Sequence, residues 1–317
     1  MHRLRPSTVA AGLLAAAALA LVAAAPAAAQ GDAPWQRADA IRGGLASALT
    51  ELILDDRAKA QAEARRAVRA YRGDLRAQIR SAAPAADAAA RAALRRVERA
   101  VAGGDAHALA AARGALQGAL FRGSMAVTLA AVRAGDVDTA RAWLLVREFR
   151  TATRLTRPGS DATVALRDLQ AKRTSPDAAA EAVQKDLLDA YQGRQRDLLG
   201  DADAAAERGL ETRLSEATAQ AAAYWPILAP RYVQDRGEDA ADDLGKDFAA
   251  LAAAGAAASW ISKSSVTRVS LVPRPYSTGT SARKRSSCWA RRADSSEVSG
   301  AAVKSASPEV TRSRAAR

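Results

Sequence analysis

Apolar residues return at intervals of three and four along most of the chain. Through residue 258 no apolar–polar alternation runs long enough for a strand. In residues 36–81, Ile41, Leu45, Leu49 and Leu52 begin a stripe that Ala60, Ala64, Val68, Tyr71, Leu75 and Ile79 continue, which predicts one long helix. Gly43-Gly44 weakens its start. Asp56 interrupts the stripe, with Asp55 at its edge and Glu51 a turn earlier. Pro84 opens a second helix that ends at Gly103-Gly104, and Asp105 caps a third over residues 106–134. That third helix carries Leu109, Leu116, Leu120 and Val127 on one face and Phe121, Met125, Leu129 and Val132 on another. A helix apolar nearly all round belongs in the middle of a bundle.

Gly135-Asp136 ends the third helix, and a fourth spans 137–157 before Pro158-Gly159. Ser160 or Asp161 caps a short fifth. Ser175-Pro176-Asp177 opens a sixth with an N-cap, a proline at the first helical position and an acid at the positive helix end. A seventh, over 203–225, is expected to stop in a packed turn, YWPILAPRY, where Pro226 and Pro230 break it. A last helix, 237–258, turns Leu244, Phe248 and Leu251 inward. The expectation is an all-α bundle of seven or eight helices. Composition agrees, since alanine dominates and alanine is the best helix former.

The two ends are of another kind. Residues 1–29 join Arg3 and Arg5 to an apolar run and a small-residue exit at Ala27-Ala28-Ala29, the form of a secretory signal peptide. An uncleaved membrane anchor is the other reading, and either places the following domain, 30–258, outside the cytoplasmic membrane. Past the leader no apolar stretch of membrane length is expected, and so no pore. Residues 259–317 hold 15 serines, against 6 in residues 30–258, and three prolines. That texture reads as a disordered basic tail, or as an out-of-frame continuation that replaces the natural sequence near 258.

Charge follows the same division. The chain is +13, but the tail carries 12 Lys+Arg against 3 Asp+Glu and the leader adds two arginines, which leaves residues 30–258 at +2. Charge therefore gives no argument for a nucleic-acid partner. Cys288 is the one cysteine, and beyond His2 the one histidine is His107, expected at the surface. Disulfides, thiolate or multi-histidine metal sites, and Ser-His-Asp or Cys-His catalysis all lack their residues.

Candidate chemistry gathers in WLLVREFRTATRLTRPGSDAT, residues 143–163. At about 100° per residue, Trp143, Arg147, Arg150, Arg154 and Arg157 share one narrow sector. Glu148 falls on the apolar side, between Leu144 and Ala152. A buried carboxylate must be paired or bound. One reading pairs Glu148 with Arg122 on a neighbouring helix. The other has Glu148 help Asp56 or Glu51 hold a hard cation such as iron, as facing carboxylates do in helical bundles. The arginine stripe is either a solvated face or a docking surface for anionic headgroups or an acidic partner, with Trp143 adding a contact.

Residues 121–169, FRGSMAVTLAAVRAGDVDTARAWLLVREFRTATRLTRPGSDATVALRDL, together with SPDAAAEAVQKDLLDAY and YWPILAPRY in that order, resemble the extracytoplasmic helical extension found in some bacterial members of the high-affinity iron permease family. The resemblance spans residues 35–258. It implies an exported helical domain tied to iron uptake, with a membrane permease domain or the membrane surface as partner, iron as the associated metal, and no catalysis. Such permeases carry Arg-Glu-x-x-Glu motifs on membrane helices. Here Arg147-Glu148 begins one but Thr151 stands where its second glutamate belongs, so that motif's function transfers to no residue. An accessory or truncated permease domain is thus the expected role. A stand-alone exported helical binding protein unrelated to iron is the alternative.

Overall fold

The computed structural model describes residues 32–147 and 161–257. The described residues form ten α-helices and no strand. They are α1 (Pro34–Ile53), α2 (Arg57–Tyr71), α3 (Asp74–Ala82), α4 (Pro84–Gly103), α5 (Ala106–Arg133), α6 (Val137–Leu144), α7 (Ala162–Gln170), α8 (Pro176–Glu207), α9 (Glu211–Arg236) and α10 (Glu238–Ala257). The chain is all-α, as the periodicity predicts. The leader and the tail past 257 lie outside the described residues.

The long first helix is three. Asp55 adopts φ 59°, its N–H bonds back to the Leu52 carbonyl and the Asp56 N–H to that of Glu51. This is a Schellman closure with aspartate where glycine is usual. Asp56 then caps α2, accepting from Lys59 N at 3.0 Å. Gly73, at φ 76°, separates α2 from α3. The apolar stripe stays in phase across both breaks, so periodicity alone runs them together. Other boundaries fall where their caps place them. Asp105 accepts from Ala108 N, Asp161 from Thr163 N and Ser175 from Ala178 N, and Gly104 closes α4 in the left-handed region.

α5 is the axis of the bundle. It packs on α9, α4, α6, α8, α3 and α1, and is buried on every side. It is also long and apolar enough to cross a membrane, so the expectation that no such segment follows the leader is corrected. Most of it is buried inside the protein. Three glycines let its neighbours approach. A Cβ on Gly114 would meet the Glu216 carbonyl oxygen at 2.5 Å, one on Gly118 would overlap Ala223, and one on Gly123 would meet Ile79 at 2.7 Å.

α9 runs straight through YWPILAPRY to Arg236, so the expected packed turn is helix. Pro226 and Pro230 are both on the exposed side. The carbonyls freed by the missing N–H groups can therefore take hydrogen bonds from water, and the helix tolerates both. Beneath them Tyr224 joins Phe121 and Tyr191 in a three-ring cluster with centroids 5.6–6.0 Å apart. Trp225 packs on Tyr232 and Phe248. Leu244, Phe248 and Leu251 of α10 are buried, as their spacing predicts.

Candidate functional site

The fourth helix is shorter than its sequence pattern. α6 ends at Leu144, and the chain tightens into turns in which Val146 N bonds to the Trp143 carbonyl and Arg147 N to that of Leu144. Ser124 Oγ on α5 also donates to the Trp143 carbonyl, at 2.8 Å. Trp143 is 1% exposed and its Nε1 donates to Gln78 Oε1 at 2.7 Å. It fills the core and forms no part of a docking surface. With the helix ended, the wheel that grouped it with Arg147 does not apply. Glu148, Arg150, Arg154 and Arg157 lie outside the described residues.

The flanks of segment 148–160 are anchored to α8. Asp186 Oδ2 accepts from Arg147 Nη1 at 3.3 Å on one side of the segment and from Ala162 N at 3.0 Å on the other. Burial holds the Asp186 carboxyl above the ordinary carboxylate range, although those two donors oppose the shift. Burial acts on Asp161 in the same sense, but bonds from Thr163 and the charge of Arg147 outweigh it and hold Asp161 low. One turn along α8, Asp189 pairs with Arg231 of α9 at 2.9 Å. Asp186, absent from the sequence expectations, thus joins Arg147 and Ala162, the described residues on either side of 148–160. Asp186 and Asp189 are half-buried beside buried Leu187, Leu188 and Ala190, which marks them as acids in need of partners but does not name the partners.

The other candidates separate. Asp56 is occupied as a helix cap and pairs with Lys59 Nζ at 2.8 Å, and these bonds hold its pKa low. Glu51 is half-buried one turn before the α1–α2 turn. Among the described residues no group of three His, Cys, Asp or Glu is placed to hold a metal ion. Arg122 is half-buried on α5, and its proposed partner Glu148 is outside the described residues. His107 is half-exposed near the start of α5, with Nδ1 3.2 Å from Thr212 Oγ1 and Nε2 3.5 Å from Glu211 Oε2.

Buried polar groups are otherwise cross-links between helices. Asp87 of α4, 1% exposed, accepts from Tyr71 Oη at 3.0 Å and Arg76 Nε at 3.1 Å, and pairs with Arg91 Nε at 3.0 Å. Glu216 of α9 binds Arg113 of α5 through Nε and Nη2, at 3.0 and 2.6 Å.

Fold and interior define an all-helical domain whose buried charges pair with one another. The family described as the iron permease FTR1 N-terminal domain matches residues 29–270, most of the chain. The chain belongs to that family, a domain of iron permeases, which are transporters and not enzymes. No curated protein and no solved structure matches it.

Proposed function

We propose that the chain acts as an accessory or truncated extracytoplasmic domain of an iron permease, exported by residues 1–29 and serving iron uptake without catalysis. The observation that carries this reading is the family match over residues 29–270. The Asp186 contacts support a role for this region of the domain. Arg147 and Ala162, on either side of residues 148–160, bond to one carboxylate. Glu148, inside that segment, is the residue to present to iron or to the permease. Glu51 is a second candidate, whereas Asp56 is committed to its cap.

Isothermal titration with ferrous and ferric iron tests the metal role. Binding heat is expected for the wild type, with affinity reduced about tenfold or more in Glu148→Ala. No heat, or an unchanged isotherm in that variant, removes Glu148 from iron binding.

A further inference from the structure

The near-neutral charge of the domain hides two opposed halves. Residues 57–103, which make α2, α3 and α4, carry 12 Arg+Lys against 4 Asp+Glu, a net of +8. Residues 176–257, which make α8, α9 and α10, carry 8 against 16, a net of −8. α5 packs on both groups. The basic half is a built flank. Tyr71 at the end of α2 bonds to Asp87 at the start of α4, while Arg57 at the start of α2 lies against Gly104 at the end of α4. The two helices therefore run antiparallel, side by side. Each buries alanines on its inner side and exposes arginines on its outer one: Arg65, Arg69 and Arg72 from α2 and its end, and Arg91, Arg95 and Arg99 at four-residue spacing on α4. Among these Arg91 is engaged with Asp87. The turn that enters α2 also exposes two adjacent large apolar side chains, Ile53 (64%) and Leu54 (68%).

We propose that this flank seats the domain on an anionic lipid surface, with Ile53 and Leu54 entering the headgroup layer and the acidic half turned away. An arginine-rich face gains attraction from each charge near anionic headgroups. The charge separation within one domain gives that attraction a direction, and the exposed Ile-Leu pair favours a bilayer over a nucleic acid, which offers no apolar layer. The inference is independent of iron binding.

The test uses the full chain in a Cys288→Ser background, because leader and tail could also reach a vesicle and a local readout is needed. An environment-sensitive fluorophore is placed at Leu54→Cys or, on the exposed start of α10, at Asp239→Cys. Vesicles are phosphatidylglycerol–phosphatidylcholine or phosphatidylcholine alone. The fluorophore at 54 is expected to brighten and shift to the blue on the anionic vesicles only, and the one at 239 to stay unchanged. Arg65→Glu/Arg69→Glu/Arg95→Glu/Arg99→Glu is expected to weaken the response at 54 about tenfold or more, with unchanged helicity by circular dichroism as its folding control. Should that variant lose its helicity, single reversals at Arg65 and Arg99 replace it. A silent position 54, equal responses at 54 and 239, or a response that survives charge reversal would overturn the proposal.

Discussion

Gly114 of α5 lies so close to Glu216 of α9 that a Cβ on the glycine would stand 2.5 Å from the Glu216 carbonyl oxygen. Two helix backbones meet there, and neither can yield as a side-chain tip could. Gly114→Ala gains about 1 kcal/mol of helix propensity, but overpacking of a rigid contact costs about 1–3 kcal/mol or more. The clash wins, and the variant is expected to unfold at lower urea by about 1–2 kcal/mol. Gly43→Ala is the control. It is exposed inside α1 with nothing within 4 Å of its Cβ position, so only the propensity acts, and a gain of about 0.5–1 kcal/mol is expected. If both variants shift the same way, the close approach does not limit stability.

Asp87 tests a buried carboxylate. In Asp87→Ala the Tyr71 hydroxyl loses its acceptor inside the core, an orphan worth about 1–3 kcal/mol. Arg76 and Arg91 lose their partner too, but both reach water, so the loss stays below the 3–5 kcal/mol of a fully buried broken pair. The expected cost is about 2–3 kcal/mol by urea denaturation. Asp87→Asn, which keeps an acceptor for Tyr71, should cost less. Equal losses would mean that charge, and not the Tyr71 bond, dominates the site.

How much of this was legible follows from where each signal resides. Caps are local. Asp105, Ser175 and Gly104 could be read because the residue itself does the bonding. The all-round apolar surface of α5 likewise announced its central place. The α1–α2 turn was hidden because Asp55 took a left-handed conformation that sequence assigns to glycine first, while the stripe from Leu52 to Ala60 stayed in phase. Pro226 and Pro230 misled because what matters is which way they face, a tertiary fact. The site was less legible than the fold. Asp186 matters through Ala162 and Arg147, 24 and 39 residues away, and no local pattern encodes such a pairing. The opposed charges of α2–α4 and α8–α10 were in the sequence, but a sum over the whole domain cancels them.

Tyr71 gives a pH dependence. Burial, then the hydrogen bond to and charge of Asp87, push its phenol well above the ordinary value of 10.0. The folded protein thus holds this proton more tightly than the unfolded chain. The stability that results is complete below the unfolded value and is lost as pH rises from there toward the raised folded one. Stability should fall above about pH 10, by up to about 1.4 kcal/mol per pH unit from this group. Tyr71→Phe, less stable at neutral pH by about 1 kcal/mol for the lost bond, should show a shallower decline in urea midpoints between about pH 9.5 and 11. An identical slope in both proteins would assign the alkaline loss to other groups.

Trp143 separates a core role from a surface one. An exposed tryptophan on a docking face could be replaced within about 0.5 kcal/mol of stability. Trp143 instead is 1% exposed, bonded through Nε1 to Gln78, and its carbonyl accepts from Ser124 where α6 ends. Trp143→Ala should therefore cost about 3–5 kcal/mol. Trp143→Phe, which keeps a ring but loses the Nε1 donor and some volume, should cost about 1–2 kcal/mol. The loss should reach beyond α6. Gln78 belongs to α3 and Ser124 to α5, so amide exchange ought to quicken at the end of α6 and in α3 together. Faster exchange confined to α6, or a near-neutral Trp143→Ala, would return this residue to the surface that the sequence pattern first suggested.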